Sequence, residues 1–237
     1  MQTSRTLVAL FAGACAAPSL EMTGRLQAAA DDVVGVGDAE VVVRTFDTSP
    51  WSTVRTNVAG DFSIPVPVQA EIFVEFRADD VASPIAFGGT TGVADPFVVP
   101  LGTFFVVDYE AEAELRARFA GCPDVALPGV ITGEVRILVT GDPLVDPLDP
   151  SAAVRIELDD GSTVEACYLN AEGTAYDPTA TTVGLSGTFA IFGVEGRPFT
   201  LVPRRVVGEV SLQERYRGFV PEGGVFSESP VYLPLLP

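Results

Sequence analysis

Apolar and polar residues alternate along this chain in short runs rather than in helical stripes. Phe62-Ser63-Ile64 and Phe189-Ala190-Ile191 each place two apolar side chains on one face of an extended backbone. Each run follows a glycine, Gly60 or Gly187, where a tight connection needs positive φ or a close backbone approach. Runs of this kind recur between Gly, Pro and Asp turns at spacings of about ten residues, which predicts an all-β sandwich fold. Pro65, Pro67, Pro100, Pro203 and Pro234 fall within or beside the runs. Proline cannot donate to a strand ladder, so several strands are expected at sheet edges.

The same order of blocks occurs twice. Met22-Thr-Gly-Arg-Leu-Gln-Ala is answered by Ile131-Thr-Gly-Glu-Val-Arg-Ile, and Ala39-Glu-Val-Val-Val-Arg by Ala153-Val-Arg-Ile-Glu-Leu. Gly60-Asp-Phe-Ser-Ile-Pro-Val then matches Gly187-Thr-Phe-Ala-Ile-Phe-Gly, and Glu71-Ile-Phe-Val-Glu-Phe-Arg matches Pro198-Phe-Thr-Leu-Val-Pro-Arg. Last, Asp95-Pro-Phe-Val-Val-Pro-Leu is matched by Ser229-Pro-Val-Tyr-Leu-Pro-Leu. Blocks repeated in one order are the mark of tandem domains. Expected are a leading segment over 1–19, a first β-sandwich over 20–107, an interdomain segment over 108–125 and a second β-sandwich over 126–237. Because each copy holds a full set of blocks, residues 126–237 are expected to fold alone.

These blocks resemble the carboxypeptidase regulatory-like family. The resemblance rests on Thr23, Gly24, Ala39, Val41, Val43, Thr56, Gly60, Phe62 and Ile64 in the first copy. In the second it rests on Thr132, Gly133, Ala153, Val154, Ile156, Gly187, Phe189 and Ile191. It implies two tandem transthyretin-like, Ig-like β-sandwiches acting as accessory or surface modules, with no catalytic residue. The second copy departs from the pattern by an insertion over 159–183, and the Gly-Tyr pair common after the family's last alternating strand is absent from both copies.

Between the copies, residues 106–124 read VVDYEAEAELRARFAGCPD. Their composition and the Glu112–Arg116 and Glu114–Arg118 spacings suit a helix. The strict alternation of Tyr109, Ala111, Ala113, Leu115, Ala117 and Phe119 with charged residues predicts an extended strand instead.

Composition narrows the function. Hydrophobic residues make up 47% of the 237, so a core can form, while the formal net charge is −18 and all 14 basic residues are Arg. Phosphate binding needs clustered cations, so nucleic acid is not an expected partner. The amino terminus runs from Arg5 through the apolar Leu7–Ala14 stretch to small residues, the order of an export signal. It is too short for a permanent membrane span. Ala12-Gly13-Ala14-Cys15 resembles a bacterial lipobox, which would leave Cys15 as a lipidated first residue and a membrane anchor. The same Ala-Gly-Ala also suits simple secretion, and a third reading is a buried structural cysteine. The chain holds three cysteines. With lipid on Cys15, Cys122 and Cys167 remain to pair as a disulfide in an exporting compartment; two free thiols are the alternative.

Candidate chemistry is thin. The absence of His removes a histidine base for Ser186 in Gly184-Leu-Ser-Gly. No zinc set, no dinucleotide fingerprint at Gly35-Val-Gly37 and no other cofactor site is expected. With 32 acidic residues, a carboxylate pair carries no signal for glycoside hydrolysis. Asp142, Asp146, Asp149 and Asp159-Asp160-Gly161 are candidate calcium ligands, although Asp-Pro is also a turn former. Trp51, Tyr176 and Tyr216 are candidate rings for a carbohydrate platform, which would require Trp51 and Tyr176 on one flat surface. The expectation is therefore a cell-envelope protein with no catalytic residue, anchored through Cys15, in a structural, adhesive or scaffold role toward a protein or carbohydrate partner. A carbohydrate- or calcium-binding surface module is the alternative.

Overall fold

The computed structural model describes residues 19–28, 34–79, 81–86, 98–138, 145–146, 154–159, 164–194, 196–207, 210–213 and 215–234. The first half contains β1 (Ser19–Gln27), β2 (Glu40–Thr45), β3 (Pro50–Arg55), β4 (Asp61–Pro67), β5 (Ile72–Arg77), β6 (Val81–Ala82), β7 (Pro84–Ala86) and β8 (Val98–Phe105). A short β9 (Val107–Asp108) leads into α1 (Tyr109–Arg118). The second half contains β10 (Val130–Leu138), β11 (Val145–Asp146), β12 (Val154–Leu158), β13 (Cys167–Tyr168) and β14 (Thr188–Phe192). It closes with β15 (Arg197–Val207), β16 (Val210–Gln213), β17 (Tyr216–Val220) and β18 (Val225–Pro234).

The glycine turns form for the reason read from the sequence. Gly60 has φ +81° and Gly187 φ +67°. A Cβ on Gly60 would lie 2.2 Å from the Leu26 carbonyl oxygen, so no larger residue fits without displacing backbone. That contact leaves room for the bond from Leu26 N–H to Gly60 O at 2.9 Å, and Val135 N–H makes the corresponding bond to Gly187 O at 2.9 Å. Gly24 pairs with Phe62 across β1 and β4, as Gly133 pairs with Phe189 across β10 and β14. The Phe62 ring lies where a Gly24 Cβ would be, 2.4 Å from its nearest atom.

The strands form three principal sheets. One has the order β4-β1-β8, and a second joins β12, β15 and β16, with β17 also pairing β15. The third is nine-stranded, with path β13-β14-β10-β18-β7-β5-β2-β3 and β11 attached to β10. This long sheet runs through both halves of the chain. The join is the parallel pairing of β18 with β7, Val225 opposite Pro84 and Phe226 opposite Ile85.

The two faces of the long sheet are covered by different partners. On one face Val41, Val43, Ile72, Val74 and Phe76 pack against Leu20, Met22, Leu26, Phe62, Ile64 and Val66 of the β4-β1-β8 sheet. On the opposite face Ile131, Val135, Phe189 and Ile191 pack against Val154, Ile156, Phe199, Leu201 and Phe219 of the β12-β15-β17 layer. Because successive side chains of a strand alternate faces, Phe73 of β5 points away from Ile72 and Val74 and joins this second core. Helix α1 and its sequel cover what is left of the first face, where Phe119 and Cys122 bury Val130, Ala190, Phe192 and Val225.

Of the prolines, Pro65, Pro67 and Pro100 lie on β4 and β8, the edges of their sheet. Pro203 and Pro234 lie on interior strands. Pro203 pairs Ile156 on one side and falls between the stretches of β15 that pair β16 and β17 on the other. Pro234 ends β18. Each thus avoids a ladder position that needs its missing N–H.

The extended strand expected over 109–119 is corrected to an α-helix, Tyr109–Arg118. Half of its alternating positions, Ala111, Ala113 and Ala117, are alanines, which bury too little area to hold a strand against a sheet. Local bonds decide instead. Asp108 caps the helix by accepting from Ala111 N–H at 2.6 Å, and Arg116 bonds Glu112 at 2.6 Å one turn away. Glu110 and Glu112 lie in the first turn and Arg116 and Arg118 in the last, as the helix dipole favours. Leu115 and Phe119, spaced as one helical face requires, both reach the core beneath.

Candidate functional site

The most organised polar constellation among the described residues lies at the seam where β5 and β2 meet β17. Arg44 sits opposite Phe73, and Val42 opposite Glu75, in the antiparallel β2–β5 register. Glu75 is fully buried, and its Oε2 accepts from Arg44 Nε at 2.6 Å. Arg77 donates to the other oxygen of the same carboxylate. Burial of a carboxylate is tolerable only with such pairing, since an uncompensated buried charge costs several kcal/mol, on the order of 3–5. Arg44 also donates to Thr48 O at 2.8 Å and lies with its guanidinium carbon 5.5 Å from the Phe219 ring centre. The Phe73 and Phe219 rings stack at 6.4 Å with 27° between their planes. Beside them Arg217 bonds Glu71 at 2.8 Å and lies 5.1 Å from the Phe46 ring centre.

The seam thus holds two arginines, each engaged with a carboxylate and an aromatic face. Such an arrangement fixes position. It offers neither a nucleophile nor an acid–base pair. Sequence reasoning missed it, although a signal existed: Ile72-Phe73-Val74 is three apolar residues in a row, which marks a strand buried on both faces.

A second tie holds α1 and the segment that follows it to the second half. Cys122 and Cys167 form a disulfide with 6.1 Å between their Cα atoms, as the cysteine arithmetic expected. Arg118 O accepts from Tyr176 N–H at 2.8 Å, and Arg118 Nη2 donates to Gly173 O at 2.6 Å. Arg116 bonds Val125 O at 2.5 Å and Leu127 O at 3.0 Å. The insertion therefore serves as a dock for α1.

An open groove of about 490 Å³ lies between β12 and the insertion, with Arg155, Glu157, Glu165, Ala180 and Tyr168 among its lining residues. The Tyr168 hydroxyl accepts from Ile156 N–H at 2.9 Å. Burial pushes its pKa up to about 12, against the opposing effect of that backbone bond, so it stays neutral and poorly suited to act as a base.

The remaining candidates scatter. Cys15 lies outside the described residues, as do Asp142, Asp149, Asp160 and Gly161. Asp146 belongs to β11, and Asp159 is bonded to Arg215 at 2.5 Å. Among the described residues no three His, Cys, Asp or Glu side chains gather as a metal site would require. Trp51 is 39% exposed on β3, one edge of the long sheet, whereas Tyr176 bridges Leu169 beside β13 at the other edge. The long sheet separates the two rings, so they do not form one flat platform. Tyr216 packs against the second core. Ser186 Oγ accepts from Thr188 N–H at 3.4 Å in a turn, and Gly35 lies against the Ala59–Gly60 backbone. Among the described residues no helix is long and apolar enough to cross a membrane.

No protein-family model matches the chain, and no curated protein matches it. Among solved structures it is similar to the TIE protein of Bacillus anthracis, with 10% identity over 92% of this chain and a TM-score of 0.30. The chain spans 34% of the length of that structure. It is also similar to the shaft pilin SpaA of Lactobacillus rhamnosus GG, with 13% identity, 92% of this chain and 99% of that one covered, and a TM-score of 0.26. At these scores the likeness says nothing of activity or partners.

Proposed function

We propose that this protein is an exported structural element of a cell envelope, anchored by lipid on Cys15 and acting as a non-catalytic scaffold or adhesive strut. The observation that carries this reading is the nine-stranded sheet shared by both halves and locked at the seam by Phe73, Phe219, Arg44 and Glu75. A sheet continued across two halves resists bending between them, which a strut needs and a hinged enzyme does not. The halves are two copies of one sandwich in this reading. The repeated Gly24–Phe62 and Gly133–Phe189 pairs and the repeated bonds to Gly60 and Gly187 support it. So does the resemblance of both halves to carboxypeptidase regulatory-like modules. Further support comes from the committed charges: each described arginine with a described side chain has a carboxylate or a carbonyl as partner.

Fractionation of the producing cells tests the anchor. The mature protein is expected in the membrane fraction with diacylglycerol on Cys15, and Cys15→Ala is expected to release it. A soluble wild-type protein with an unmodified amino terminus by mass spectrometry would remove the anchor from the proposal. A hydrolytic activity that copurifies with the homogeneous protein would overturn the non-catalytic role.

A further inference from the structure

We infer that the first half is a mechanical clamp, built so that tension along the chain loads its first and last strands, β1 and β8, in shear, while the disulfide carries that tension past the start of the second half. This rests on the structural reading above and goes beyond it by naming the load and the strands that carry it. The chain enters the first half at the start of β1 and leaves it at the end of β8. These two strands lie side by side and parallel, with Glu21 opposite Val98 and Gln27 opposite Phe105. It enters the second half's sheet at the start of β10 and leaves at the end of β18. These strands too are adjacent and parallel, with Val130 opposite Val225 and Leu138 opposite Pro234.

The consequence is geometric. At roughly 3.3 Å per residue, the entering and leaving points of each pair lie about 26 Å apart along the strands and only about 4.8 Å apart across them. Tension between those points is therefore nearly parallel to the strands. The interstrand hydrogen bonds run across that direction, so the register pairs share the load and must give way together. A pull across the strands would instead open one pair at a time. In the second half β18 is held on both sides, since β7 of the first half also runs parallel to it. β18 is thereby braced by the other half.

The disulfide adds a covalent bypass. Load arriving through α1 reaches Cys122 and passes directly to Cys167 at the start of β13, 45 positions later. β13 is antiparallel to β14, and β14 is antiparallel to β10, so this load also enters along the strands. β10 lies inside the closed loop, so with the disulfide formed the tension bypasses its start and pulls β13 against β18 across β14 and β10.

Single-molecule pulling of the full chain in a Cys15→Ala background tests the clamp. Thiol handles at Ser19→Cys and Phe105→Cys load β1 against β8 lengthwise. Handles at Ser19→Cys and Gln69→Cys load β1 against β4 crosswise, because Ser19 lies opposite Pro67. Ser19, Phe105 and Gln69 are all exposed, so folding should survive, and a thermal melt checks this for each variant. The lengthwise geometry is expected to rupture at a force several-fold above the crosswise one. Equal forces would overturn the clamp and leave the structural role untouched, since that role fails on fractionation or on activity instead. In a second experiment the chain is pulled from its ends. Reduction of the disulfide is expected to lengthen the released chain by about 160 Å, at ~3.6 Å for each of the enclosed residues. No change on reduction would overturn the bypass.

Discussion

The Phe73 ring stacks on Phe219 at 6.4 Å although the two residues belong to opposite halves of the chain. Phe73 is fully buried, and it sits in the core formed by β10, β14, β12, β15 and β17 rather than in that of its own strand's neighbours, Ile72 and Val74. The second core is therefore completed by a residue from the first half.

Phe73→Ala is expected to lower the unfolding free energy by about 3–5 kcal/mol, the usual cost of deleting a buried phenylalanine. Hydrogen exchange locates the damage. Protection should fall at the Leu201 and Val220 amides more than at Val41; loss confined to the first core would contradict the shared packing.

A fragment of residues 126–237 keeps β14, β10 and β18 and the β12-β15-β17 layer, but it lacks Phe73, the β7 edge and the disulfide to Cys122, so it is compared with a reduced full chain. It is expected to melt cooperatively at a lower temperature than the full chain and to associate through the exposed β18. Calorimetry and sedimentation measure both. A monomer as stable as the full chain would show that the join contributes nothing.

Glu75→Ala should cost about 3–5 kcal/mol, because Arg44 would be left half-encased without its carboxylate. Arg44→Met combined with Glu75→Met removes the whole pair and should recover most of that loss. Urea denaturation of the three proteins decides it; a double variant no better than Glu75→Ala would mean that the pair contributes more than it costs to bury.

Tyr168 gives the fold an alkaline limit. Its pKa is raised from the model-peptide value of 10.0 to about 12, so the folded state keeps it neutral after the unfolded chain has begun to ionise. The stability it contributes is present below pH 10 and disappears between pH 10 and 12. In full it amounts to about 2.7 kcal/mol, at 1.36 kcal/mol per unit. Tyrosinate absorbance should show one late-titrating phenol, and Tyr168→Phe should abolish it. A titration with all five tyrosines near 10 would refute this.

Reduction of Cys122–Cys167, or replacement of both residues by Ser, is expected to destabilise the second half by up to about 4 kcal/mol, the loop-closure value for 45 residues. Amide protection in α1 should decline with it, because none of the helix residues is itself fully buried. Unchanged protection would mean that Arg116 and Arg118 suffice as ties.

Among these features, those that depend on neighbouring residues could be read before any contact was known. Period-two alternation marked Phe62–Ile64 and Phe189–Ile191 as strands, and Gly60 and Gly187 marked their tight entrances, because pleat and φ are properties of the local backbone. The cysteine count pointed to the bond that ties the segment after α1 to β13. The rest came from contacts between distant segments. Alanine alternation over 109–119 held no burial to enforce a strand, so capping and an ion pair made a helix. The join of β7 to β18 depended on two edges meeting across about 140 residues, which no local pattern encodes. That meeting turned the outer face of β5 inward, burying Phe73 and Glu75, and left Trp51 and Tyr176 at opposite ends of one sheet.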